Sequence, residues 1–229
     1  MTLTLLDWRR QVFDLYLEIR ASADPAAAHT RWCSVRRVLF RHHPESPLPP
    51  EGRARDPGPI VTPYDPAFRF DLPLAPAEPQ ELEIPTSTDG VVAFTRMGRL
   101  EVPGLGTLDV WWLQAYGGGV FVPLKDATAG VTSYGGGRYL LDTVKGADLG
   151  GDRTHLVVDF NFAYNPSCAY SPIWSCPLPP PGNFLAAAVP WASRRAVERA
   201  PLGAASANGA RPVRSGREGP GSAPAAGSR

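Results

Sequence analysis

Apolar residues recur at helical spacing through the first twenty positions. Leu5, Trp8, Val12, Leu15, Tyr16 and Ile19 fall on one stripe, with Arg9, Arg10, Asp14 and Glu18 off it. That pattern predicts an amphipathic helix over 3–20. Asp24-Pro25 then supplies an N-cap and a first-turn proline for a second helix, whose stripe is Ala28, Trp32, Val35 and Leu39. His42-His43-Pro44 ends it, because the residue before a proline avoids the helical region. From Pro44 to Pro79 prolines recur every few residues, and each removes a ladder donor. This stretch reads as an extended arm wrapped on the body and anchored by Ile60, Tyr64, Phe68 and Phe70.

Beyond residue 80 the period changes to two. Short strands are predicted at 81–84, 91–96, 99–102, 107–116, 120–125, 137–142, 155–161 and 184–189. Asp89-Gly90 and Gly117-Gly118-Gly119 mark turns, the second joining 107–116 and 120–125 as a hairpin. Helices of crossover length are missing between these strands, which excludes a βαβ fold. The expected fold class is α+β, mainly β: a small bent sheet or barrel of short strands with two N-terminal helices packed against it. One domain is expected over 1–190, divided into helices (3–42), proline-rich arm (44–79) and β body (81–190). Residues 191–229 read as a low-complexity, disordered tail, since 21 of the last 29 residues are Ala, Gly, Ser or Pro.

Charge narrows the classes of partner. The 229 residues carry a formal net charge of +1, but the first 190 sum to −4 and the remainder to +5. A mildly acidic body lacks the concentrated positive field that nucleic-acid backbones require. No run of 18 apolar residues exists, so no membrane helix is expected. The charged N-terminal stretch does not read as a secretion signal, and a cytoplasmic location is expected.

The clearest strand, 155–161, places Leu156, Val158 and Phe160 (with Phe162 beyond) on an apolar face and His155, Val157, Asp159 and Asn161 on the other. The expectation is that this second face lines a hollow shared with the turn from Lys125 to Arg138. In that hollow Lys125 and Arg138 would orient a small polar or anionic molecule, as guanidinium and ammonium groups do. Asp126, Tyr134, Asn161, Tyr164 and Asn165 would complete the ligand-binding set. Asp159 is the candidate catalytic base, with hydrolysis as the reaction class. The competing reading gives the same residues to an internal network of a non-enzymatic structural or interaction module. Gly135-Gly136-Gly137 lacks the phosphate-loop context, and no GxSxG, HExxH or CxxC motif occurs, so neither a cofactor nor a metal is expected. Cys33 falls in a helical pattern. Cys168 and Cys176, eight residues apart in a proline-rich segment, are expected either as free thiols or as a disulfide.

The blocks KDATAGVTSYGGGRYL (125–140) and VVDFNFAYNPSCAYSPIWSCPLPPPGNFL (157–185) resemble the bacterial and archaeal proteins grouped as the domain of unknown function DUF1684. WRRQVFDLYLEIR (8–20), RWCSVRRVLFRHHPESPL (31–48) and TPYDPAFRF (62–70) resemble the N-terminal half of the same family. The resemblance spans about residues 5–190. It implies no particular activity. It does imply importance for Gly130, Tyr139, Cys168, Cys176, Pro177 and Asn183 beside the residues already singled out, and it adds Tyr170 to the ligand-binding set. The chain departs from the family at 51–58, and at 189–195, where relatives continue with an alanine-glycine-glutamate run.

Overall fold

The computed structural model describes residues 3–51, 53, 59, 61–86, 90–114 and 116–189. The expected tail and the proposed anchor Ile60 lie outside the described residues. Helix α1 runs Leu3–Ala21 and buries Leu15, Tyr16 and Ile19. Helix α2 runs Pro25–His42, and the Asp24 carboxylate accepts the amides of Ala26 and Ala27 at 2.9 and 3.0 Å, so the predicted cap forms. The helices meet where Trp32 Nε1 donates to Tyr16 Oη at 3.1 Å, a buried polar contact between two large rings.

The strands form two antiparallel sheets. Strand β1 (Arg69–Pro73) pairs with β7 (His155–Asp159). The larger sheet is ordered β2-β3-β4-β5-β6, comprising Glu81–Pro85, Val91–Val102, Gly106–Leu113, Gly119–Leu124 and Arg138–Asp142. Single bridges link the two sheets, Ala75 to Arg99 and Tyr139 to Tyr164, the latter just past the end of β7. Among the described residues the larger sheet stays open, so the bent-sheet form of the expectation holds and a closed barrel does not form.

One apolar face of the larger sheet (Leu100, Leu108, Val110, Val122, Leu124 and Leu140) packs into the main core with Tyr16, Trp32, Val158 and Phe160. Phe94, Trp111, Phe121 and Tyr139 form a second cluster. The helices brace the main core. The two strands expected at 91–96 and 99–102 are one strand, β3, bulged between Arg96 and Gly98. A Cβ on Gly98 would come within 2.6 Å of the Ala75 carbonyl, so glycine permits the bridge between sheets there.

Two strand expectations are corrected. Residues 184–189 form no strand: Phe184 makes a single parallel bridge to Lys125, and its ring is exposed. Strand β7 stops at Asp159 rather than continuing to Asn161, because the Asp159 carboxylate accepts the Asn161 amide and starts a 3₁₀ turn, Phe160–Phe162. No helix among the described residues is long and apolar enough to cross a membrane.

Candidate functional site

The residues expected around one hollow divide among separate hydrogen-bond networks. Asp159 ends β7, fully buried. Its Oδ1 accepts from the Asn161 amide at 3.0 Å and from Asn161 Nδ2 at 2.7 Å. Its Oδ2 accepts from Tyr64 Oη at 3.1 Å and lies 3.7 Å from Arg69 Nη1. Asn161 reaches onward, its oxygen accepting the Asp65 amide at 2.9 Å and its Nδ2 donating to the Asp65 carbonyl at 2.8 Å. Burial pushes the Asp159 carboxyl above the usual range, while the Asn161 hydrogen bonds, Tyr64 and Arg69 pull it down. Four donors thus surround this carboxylate and tie it to the arm at Tyr64-Asp65. None of the hydrogen bonds or ion pairs of Asp159 involves Arg138.

Arg138 begins β6 and pairs instead with Asp126, Nη2 to Oδ2 at 3.0 Å, with both side chains almost wholly buried. Asp126 also accepts from the Val189 amide and from Thr128 Oγ1, and Arg138 Nη2 donates to the Val189 carbonyl at 2.9 Å. Burial pushes the guanidinium pKa down and Asp126 opposes that shift. This ion pair grips the chain at Val189. Lys125 points elsewhere, its Nζ 5.4 Å from the centroid of the Phe184 ring.

Cys168 and Cys176 make up a further group, in which each thiol has the largest effect on the other's proton affinity. Both cysteines are free and half-buried. Cys168 lies in a 3₁₀ turn, Ser167–Ala169, and the chain returns through prolines, with Tyr139 Oη donating to the Pro177 carbonyl at 2.6 Å. The Cys168 sulfur accepts from Tyr134 Oη at 3.6 Å. Cys176, followed by the Tyr134 bond, holds the Cys168 thiol down at about 6 against the pull of burial. Cys176 is pushed well above the ordinary thiol value, first by Cys168 and then by burial. Tyr134 rises to about 12, chiefly by burial. Cys33, by contrast, lies on α2 and its thiol is pushed up by burial.

Two further expected residues sit near α2. The Tyr164 ring lies against Tyr139, with centroids 5.8 Å apart, and Tyr170 meets Phe40 edge-on at 5.1 Å. Asn165 is buried. Sequence reasoning missed Arg36, whose Cζ lies over Trp32, Phe40 and Tyr164 at 4.8, 5.1 and 4.8 Å from the ring centroids. The signal was present: Trp32, Arg36 and Phe40 stand four residues apart on one helix face. Also missed was the cluster around Asp109, where Arg96 and Arg99 each donate to one oxygen at 3.0 and 2.8 Å.

The fold is thus a helix-braced, open antiparallel sheet whose most chemically distinctive feature is a thiol pair on the segment after β7. The family model for the protein of unknown function DUF1684 matches residues 58–192, more than half of the chain, and the chain belongs to that family. Among solved structures, the solution NMR structure of an uncharacterised protein from Haloarcula marismortui is 33% identical, with a TM-score of 0.51. The match covers 72% of this chain and 92% of that one. No curated protein matches the chain.

Proposed function

We propose that the protein carries out thiol–disulfide exchange through Cys168 and Cys176. The observation that carries this reading is the Tyr134 hydroxyl donating to the Cys168 sulfur at 3.6 Å, with Cys176 the largest influence holding the Cys168 thiol down. A sulfur so surrounded is a thiolate near neutral pH, and the thiolate is the attacking species. Both residues are half-buried rather than sealed in the core.

The Cys168 thiolate attacks one sulfur of a substrate disulfide, forming a mixed disulfide and expelling the other substrate sulfur as a thiolate. Cys176 then loses its proton to solvent and attacks the Cys168 sulfur. The Cys168–Cys176 disulfide closes and the second substrate thiolate leaves. The substrate disulfide gains two electrons and the protein dithiol loses two. The expected cytoplasmic setting suits this chemistry, because its thiol pool keeps the pair reduced.

Asp159–Asn161 and Asp126–Arg138 serve this reading as fasteners of the arm and of the chain at Val189, rather than as a base and an anion clamp.

The test is incubation of the full chain in a glutathione redox buffer, acid quenching, alkylation and mass mapping of the cysteines. Wild type is expected to form the Cys168–Cys176 disulfide, whereas Cys176→Ser stops at a glutathione adduct on Cys168. If the adduct in Cys176→Ser falls on Cys33, or if Cys168 reacts no faster than Cys33, the reading fails.

A further inference from the structure

Helix α1 is apolar on two faces. The inner one, Leu15, Tyr16 and Ile19 with Val12 beside them, packs into the main core. Leu3, Leu6, Phe13 and Leu17 form a second stripe and remain between 42% and 82% exposed. With Arg10 between them they follow a three-four spacing through two heptads, Leu3, Arg10 and Leu17 at a and Leu6 and Phe13 at d. At roughly 100° per residue these five positions span about 80° of arc, on the side of the helix opposite the buried face. One apolar stripe suffices to seat a surface helix. Scattered exposed apolar residues are ordinary, but four in register along one face mark a contact surface.

The two edges of the outer stripe differ in charge. Asp7 and Asp14 take the e positions, and Arg9 takes a g position. Asp14 is exposed and makes no hydrogen bond or ion pair among the described residues. Two parallel copies of such a helix set each e edge against the partner's g edge, whereas antiparallel copies set e against e. Parallel pairing therefore brings Arg9 of each copy to Asp14 of the other, and antiparallel pairing would bring Asp7 against Asp14. The acidic edge also disfavours a lipid surface, because anionic headgroups repel it.

We propose that the chain pairs with a second copy of itself through the outer face of α1, the two helices running parallel about a twofold axis. The interface is self-complementary, so each contact occurs twice. Arg10 opposes its own copy in the central a layer, which costs stability and holds the pair to one register. The pairing makes no use of the thiols and stands independently of the exchange chemistry.

The experiment is sedimentation equilibrium of the full chain in reducing buffer, from micromolar to millimolar concentration. Wild type is expected to pass reversibly from monomer to dimer. Leu6→Gln combined with Leu17→Gln removes apolar surface at exposed positions and keeps good helix formers, so the dissociation constant rises by about tenfold or more. Arg10→Leu makes the central layer apolar and tightens the dimer. Asp14→Lys sets a cation against the partner's Arg9 and weakens the dimer by about two- to fivefold. In an antiparallel pair the same lysine would meet the partner's Asp7 and tighten it. Circular dichroism confirms that each variant is folded. The proposal is overturned if wild type stays monomeric throughout, if the folded double glutamine variant dimerises as wild type does, if Arg10→Leu fails to tighten the dimer, or if Asp14→Lys tightens it.

Discussion

Arg138 and Asp126 meet at 3.0 Å around the backbone of Val189, the arginine donating to its carbonyl and the aspartate accepting from its amide. The pair therefore fixes a point on the chain that lies 51 residues after β6 begins. Both side chains are almost completely out of solvent, so removing one strands the other's charge. Arg138→Met is expected to cost about 3–5 kcal/mol, the range for breaking a buried pair. Urea denaturation measures it. Arg138→Met combined with Asp126→Leu is expected to cost less than the two single changes together, because no charge is left unpaired. A cost near zero for Arg138→Met would show that the pair does not hold this segment.

Asn183 does comparable work with a neutral group. Its oxygen accepts from Trp111 Nε1 at 2.8 Å, and its Nδ2 donates to the carbonyls of Asp109 and Pro123, both at 2.8 Å. One side chain thereby ties the returning segment to β4 and β5. Asn183→Ala leaves the indole N–H and both carbonyls without this partner, so a loss of about 2–4 kcal/mol is expected. Asn183→Asp is expected to be at least as damaging, since a carboxylate cannot donate to either carbonyl. Denaturant midpoints of the two variants decide the order.

Much of this architecture was legible in the sequence because its signals are local. Asp24-Pro25 acts as a cap through its own neighbours, and the stripe of α1 is set by spacing alone. The two tryptophans before the triple glycine, Trp111 and Trp112, lie in the predicted hairpin strand. What misled was alternation. Asp159-Phe160-Asn161 continues the period of two, yet an aspartate two residues before a polar amide can capture that backbone N–H and end the strand. The polar residues also disclosed nothing about their partners. Asp159 answers to Tyr64, 95 residues earlier, and Asp126 to Val189, 63 residues later, so separate networks looked like one site. The thiol pair was visible as spacing, but the environment of Cys168 depends on where the loop before β6 carries Tyr134 and on how the prolines return Cys176.

Asp142, at the end of β6, offers a pH test. Its side chain is buried, and burial raises its pKa, with Lys145 and Arg9 acting in the opposite direction. A carboxyl raised by folding binds its proton more tightly in the native state. The native state is therefore penalised progressively as pH rises from 3.8, the ordinary aspartate value, through the raised folded value. Asp142→Asn carries no such charge. Its stability relative to wild type is expected to improve as pH rises above 3.8, then level off once the carboxyl has ionised in the folded state. Chemical denaturation across that interval checks the sign, and an advantage that shrinks as pH rises would refute the assignment.

The thiol pair predicts the opposite slope over a different interval. Folding lowers the Cys168 thiol from the ordinary 9.0 to about 6, chiefly through Cys176, and raises Cys176. Between about 6 and 9.0 the native state has released a proton that the unfolded chain retains, so this pair's contribution to stability grows with pH. Above 9.0 the unfolded chain loses both thiol protons while the native pair keeps one, and the contribution declines. Thiolate absorbance and the rate of alkylation by iodoacetamide follow the first proton directly. In wild type the midpoint for Cys168 is expected near 6. Cys176→Ala removes the principal influence and should return the midpoint most of the way towards 9.0. Tyr134→Phe removes a weaker donor at 3.6 Å and should move it by a smaller amount in the same direction. If Tyr134→Phe moves the midpoint further than Cys176→Ala, the phenol rather than the second thiol controls the nucleophile, and Cys176 loses its place as the resolving partner.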